Sequence, residues 1–118
     1  MKTTIIKTVP HKKQRYNTWG DYYDKGNKKM ILVSDFGNPD YEFLIALHEF
    51  IESYLTEKRG IKEEDITRFD VEHPELDDPG LSRQAPYHRE HMLAMKIEKI
   101  LAKELKVNWK KYNNSNPL

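Results

Sequence analysis

The chain has 118 residues, 37% of them hydrophobic and 33% charged, with a net charge of +1 and no cysteine. That length supports one domain with one core, and near-neutrality removes any general attraction to nucleic acid or anionic membrane. Without cysteine, disulfides are excluded and any metal must be held by histidine and carboxylate.

The N-terminal MKTTIIKTV lacks a long apolar stretch and a small-residue cleavage site, and no apolar run is long enough to span a bilayer. A soluble, cytoplasmic protein with neither membrane nor nucleic acid as partner is the expectation. Thr3–Val9 is β-branched and closed by Pro10, which predicts a first strand. Gln14–Tyr23 alternates imperfectly, with Gly20 marking a bulge or turn. Asp24–Asn27 then reads as a hairpin turn and Lys29–Ser34 as the clearest strand, together a small antiparallel sheet. Asp35–Asp40 is a loop broken by Gly37 and Pro39, and Asp40 is placed to cap the next helix.

That helix is predicted over Tyr41–Lys58, ended by Gly60. Ile61–Phe69 reads as a short helix turning Ile61, Ile66 and Phe69 inward. Glu72–Pro86, rich in proline, glycine and aspartate, reads as a loop or flap. Tyr87–Leu105 is the second long helix, entered through Pro86. Val107–Tyr112 folds back as a short packed segment, and Asn113–Leu118 frays. The fold class is therefore α+β: residues 1–112 form one domain, a small antiparallel sheet packed on two long helices.

At about 100° per residue, Phe43, Leu44, Ile45, Leu47, Phe50, Ile51, Tyr54 and Leu55 form an apolar arc on the first helix. His48 and Glu52 share a face toward the core, Glu49 lies just beyond it, and Glu42, Ser53 and Thr56 fall on the solvent side. On the second helix Arg89, Lys96, Lys99 and Lys103 make a basic outer stripe, while His91 and Glu98 sit at the margin of the inner face. His88 lies further out. Polar groups at a helix–helix core margin satisfy each other or a metal, because an unpaired one costs roughly 1–3 kcal/mol.

Histidine and glutamate at i and i+4 reach one ion from adjacent turns, and a third ligand from another helix leaves one position for water. His91 is the best third ligand by its wheel position and His88 the runner-up. Glu49, beside the first ligand, is placed to take a proton from that water. The expected cofactor is zinc or another divalent transition metal.

The run His48-Glu49-x-x-Glu52 after two strands and a loop resembles the active-site helix of minimal zincin metallopeptidases. The chain also resembles small uncharacterised phage-type proteins that carry an HExxE helix and a downstream HREH segment, here His88–His91. The zincin likeness implies His48 as first ligand, Glu49 as base, Glu52 where the second histidine stands, and a peptide or protein substrate. Glu52 is a departure from that pattern, since a carboxylate lowers the charge of the site and weakens its Lewis acidity.

The bland alternative is a structural His/Glu network in a non-enzymatic accessory or interaction protein. Elsewhere, His73 with Glu75, Asp77 and Asp78 belongs to a loop that can approach a metal, and Glu98 is placed to orient a ligating histidine. Tyr16, Trp19, Tyr22 and Tyr23 read as packing around the sheet. The basic Lys7–Arg15 segment does not outweigh the near-neutral whole. No glycine-rich phosphate loop, nucleophile elbow or dinucleotide fingerprint is present.

Overall fold

A computed structural model describes residues 2–118. Three strands, β1 (Thr3–Val9), β2 (Gly20–Lys25) and β3 (Lys28–Ser34), are followed by four helices: α1 (Pro39–Lys58), α2 (Glu63–Glu72), α3 (His88–Glu104) and α4 (Trp109–Asn113). The class is α+β, as expected, but the sheet is mixed. Its order is β1-β3-β2, with β2 antiparallel and β1 parallel to the central β3. The hairpin sets β2 beside β3, and β1 takes the other edge of β3. Val9 pairs with Ser34 and Gly20 with Val33, so β1 ends where β2 begins. The connection through 10–19 crosses the sheet end without reversing β1 against β3.

The hairpin turns at Gly26, whose φ of 62° lies in the left-handed region that glycine adopts without cost. Gly20 is neither bulge nor turn but the first residue of β2. A Cβ there would lie 2.5 Å from Glu49 Cγ and 2.9 Å from Ile45 Cγ2. A bare backbone is what lets α1 lie this close to the sheet.

Helix α1 begins two residues earlier than expected. Asn38, not Asp40, caps it: Asn38 Oδ1 accepts from the N–H groups of Asp40 and Tyr41 at 3.1 and 3.2 Å, and Pro39 occupies the first turn. The apolar arc of α1 is not its buried face. Leu44, Ile45, His48, Glu52, Ser53 and Thr56 are buried, whereas Phe43, Phe50 and Tyr54 are exposed. Burying Ser53 and Thr56 is cheap because both hydroxyls donate within the helix, Ser53 to Phe50 O at 2.8 Å and Thr56 to Glu52 O at 2.9 Å.

Two apolar clusters form the core. One holds Val33, Phe36, Leu44, Ile45, Ala102 and Tyr112, with Trp19 and Trp109 against it. The other holds Tyr22, Ile31, Ile66, Ala85 and Tyr87, with Ile61 and Phe69 partly buried around it. Each fully buried aliphatic side chain, such as Ile31 or Leu44, contributes roughly 1.5–3 kcal/mol. The tail expected to fray returns to the end of the sheet, where Leu118 N–H donates to Asp35 O at 2.8 Å. Among the described residues no helix is long and apolar enough to cross a membrane.

Candidate metal centre

Arg59, just past the end of α1, pairs with Glu90 in the first turn of α3, while His48 further back meets Glu98. The two helices therefore run antiparallel, and between the two apolar clusters they bring three of the expected residues together. His48 Nε2 lies 3.0 Å from Glu52 Oε2 and 3.1 Å from His91 Nδ1, and His91 Nδ1 lies 2.9 Å from the same Glu52 oxygen. All three side chains are buried.

Each has a partner behind it. The His48 Nδ1–H donates to Glu98 Oε1 at 2.7 Å, and Tyr112 OH donates to the other Glu98 oxygen. The His91 Nε2–H donates to Asp78 Oδ2 at 3.1 Å. Tyr22 OH donates to Glu52 Oε1 at 2.9 Å, leaving Oε2 for the centre. With both rear N–H groups committed to carboxylates, the front nitrogens, His48 Nε2 and His91 Nδ1, face each other and a carboxylate oxygen. Three such atoms repel one another unless protons or a cation lie among them.

The donor set fits a metal. Ligand atoms on a tetrahedral zinc with bonds of about 2.0–2.1 Å stand roughly 3.3 Å apart. The observed edges are a few tenths of an ångström shorter, within easy reach of that spacing. Histidines backed by carboxylates are the usual arrangement behind zinc ligands.

Protons can fill the same role. Burial opposes charge on His91, but Asp78 and Glu52 outweigh it and raise its pKa to about 9. Burial likewise works against charged His48, and hydrogen bonds to Glu52 and Glu98 still lift it well above the usual range. Burial would raise Glu52, yet the two imidazoles hold it down to about 2. The triad is thus a carboxylate between two strongly basic imidazoles.

Glu49 stands beside the triad with its Oε2 3.9 Å from His48 Nε2 and its side chain 13% exposed. Burial first, and then the charge of Glu52, push its carboxyl well above the ordinary range. Its position under Gly20 is fixed by the α1–β2 approach described above. A carboxylate of raised basicity, next to the donor triangle and touching solvent, can take a proton.

The remaining expectations fall outside the triangle. His88 donates from Nδ1 to Gly80 O at 2.9 Å, so it holds the 73–86 loop instead of facing Glu52. Glu90, buried in the first turn of α3, is held by Arg59. His73 donates to Phe69 O and stacks on the Phe69 ring. Of the acidic loop residues, Asp78 reaches the centre, through His91. Gly80 is why it can: a Cβ there would lie 2.3 Å from His91 Cγ, so the loop backbone rests directly on the ring.

Tyr22 and Tyr112, read from sequence as packing residues, were the partners that reasoning missed. Each is an aromatic whose hydroxyl needs a buried acceptor, and nothing in the spacing says which. A parallel arrangement flanks His91, where Tyr87 stands edge-on to the ring and shares Asp70 with Tyr16.

No family model, curated protein or solved structure matches this chain. The case for function rests on the centre itself.

Proposed function

We propose that the protein binds a divalent transition metal, zinc by the chemistry of its donors, at His48, Glu52 and His91. We further propose that it is a metal-dependent hydrolase with Glu49 as its base. The observation that carries the metal reading is the convergence of three buried donor atoms within 2.9–3.1 Å, with both imidazoles oriented from behind by carboxylates. Such an ion supplies Lewis acidity and brings the pKa of a water toward neutrality. The protein's part is then positional. Glu98 and Asp78 fix the imidazole tautomers, Tyr22 turns Glu52, and Glu49 accepts the proton of the attacking water at its carboxylate. A peptide or protein substrate is supported by the likeness of the His48–Glu52 run to the zincin helix, and the likeness to phage-type proteins rests on the same short segments.

The test is elemental analysis of untagged protein before and after chelator, followed by hydrolysis assays. Near-stoichiometric zinc is expected, lost in His48→Ala, Glu52→Ala and His91→Ala. Glu49→Gln should keep the ion and lose hydrolysis. Full activity in that variant rules out Glu49 as the base.

One observation favours a second reading. Two protonated imidazoles that both donate to Glu52 also satisfy every member of the triad, a closed polar network of the kind a non-enzymatic accessory or interaction protein would hold. On that reading added zinc does not bind, and chelator leaves the melting temperature unchanged.

A further inference from the structure

The α1–α3 pair turns an apolar surface to solvent on the side away from the sheet. On α1, Phe43, Leu47, Phe50 and Tyr54 follow one another at intervals of four, three and four residues. On α3, Leu93, Ile97 and Ile100 follow at four and three. Phe43 is 46% exposed, Tyr54 58% and Ile100 57%, with Phe50 and Leu93 close behind. Intervals averaging 3.5 residues are the spacing of a seam that another helix fills, and they do not arise from the packing of α1 on its own sheet. The two seams are neighbours, because Leu47 and Ile51 on α1 border the face that packs on α3, and Ile97 on α3 borders the face that packs on α1.

We infer that a second copy of this chain covers this face, its α1–α3 pair packing on the first to complete a four-helix bundle across a two-fold axis. Two antiparallel helices of 20 and 17 residues, each with an outward seam, are half of such a bundle, and a copy supplies a second half of matching length. The area suffices. At roughly 200 Å² per aromatic side chain, and somewhat less per aliphatic one, the exposed parts of the five residues leave on the order of 450 Å² of apolar surface. With its polar rim this approaches the approximately 800 Å² per partner of a standard interface.

Charge agrees with a two-fold axis along the helices. Arg89, Lys96 and Lys103 line the outer flank of the α3 seam and form no ion pair among the described residues. Such an axis lays this row along α1 of the second copy, where exposed Asp40 in the first turn forms no ion pair among the described residues, while Glu57 at the other end already holds Lys2 and Lys29. An axis across the helices would set the basic rows against each other. The inference is independent of the metal centre, whose residues are buried between the two helices and belong to neither seam.

Sedimentation equilibrium of the full untagged chain tests it. The expected result is a species of twice 14.1 kDa with micromolar or tighter dissociation. Tyr54→Glu and Ile100→Glu, checked for unchanged circular dichroism, should each weaken it at least a hundredfold. The milder Tyr54→Ser and Ile100→Ser replace any variant whose fold is disturbed. A protein still monomeric at hundreds of micromolar overturns the inference, as does a dimer indifferent to both seam variants. A monomer that instead pellets with phosphatidylglycerol vesicles overturns it too, and assigns the face to an anionic membrane surface.

Discussion

Gly80→Ala separates a built metal centre from a merely buried histidine. The added methyl would stand 2.3 Å from His91 Cγ, 2.5 Å from Nδ1 and 2.6 Å from Cδ2. Ordinary contact begins near 3.4 Å, so ring or loop must retreat by about 1 Å. Metal ligands tolerate only about 0.2 Å. His91 therefore leaves the triangle, and its hydrogen bond to Asp78 is disturbed with it. Losing one ligand and its rear partner should weaken zinc at least a hundredfold, since outer partners alone are worth roughly 10–100-fold. Overpacking costs about 1–3 kcal/mol. At roughly 4 °C per kcal/mol for a chain of this size, the chelated protein should melt about 4–12 °C lower.

Gly60→Ala is the control. Nothing lies within 4 Å of its added Cβ, yet its φ of 72° strains any side chain. It should lower stability by about 1–2 kcal/mol and leave zinc alone. Competition against a chelating dye gives both affinities. Zinc binding in Gly80→Ala within twofold of the parent refutes the assignment of His91 as a ligand.

Glu98→Gln removes the charge behind His48 and should weaken zinc by roughly 10–100-fold, measured with the same dye. An unchanged affinity means that His48 needs no orienting carboxylate. Gly20→Ala drives a methyl into Glu49 Cγ and Ile45; it should cost about 1–3 kcal/mol in urea unfolding and depress hydrolysis more than zinc affinity. Arg59→Ala leaves Glu90 buried without its partner and should cost about 1–3 kcal/mol, most of it regained in the double variant with Glu90→Leu. A full-cost double variant would show that the loss is packing rather than charge.

The long helices, the hairpin and the His48–Glu52–His91 grouping were legible because each rests on local spacing. What escaped depended on tertiary context. The direction of β1 follows from where the 10–19 connection runs, which no periodicity records. The wheel of α1 assigned Phe50 and Tyr54 to the core and Ser53 and Thr56 to water, because it weighed hydrophobicity alone. Ser53 and Thr56 bond their own helix and are small enough for close approach to the sheet, so the larger side chains were displaced outward. Asp78 was visible only as one acid in a flexible-looking loop. Its role depends on Gly80, whose missing side chain admits the ring of His91.

His48 and His91 are 43 positions apart in the chain, and all of α2 and the 73–86 loop lies between them. An ion held by both would therefore act as a cross-link closing a loop of some forty residues. By the chain-entropy estimate, such a closure restricts the unfolded ensemble by about 4 kcal/mol. A chain without cysteine would so gain the equivalent of a disulfide, one that any stronger chelator can undo. Amide exchange should then be fastest to respond to ion removal in α2 and the loop, with β3, tied on both edges, the last to follow.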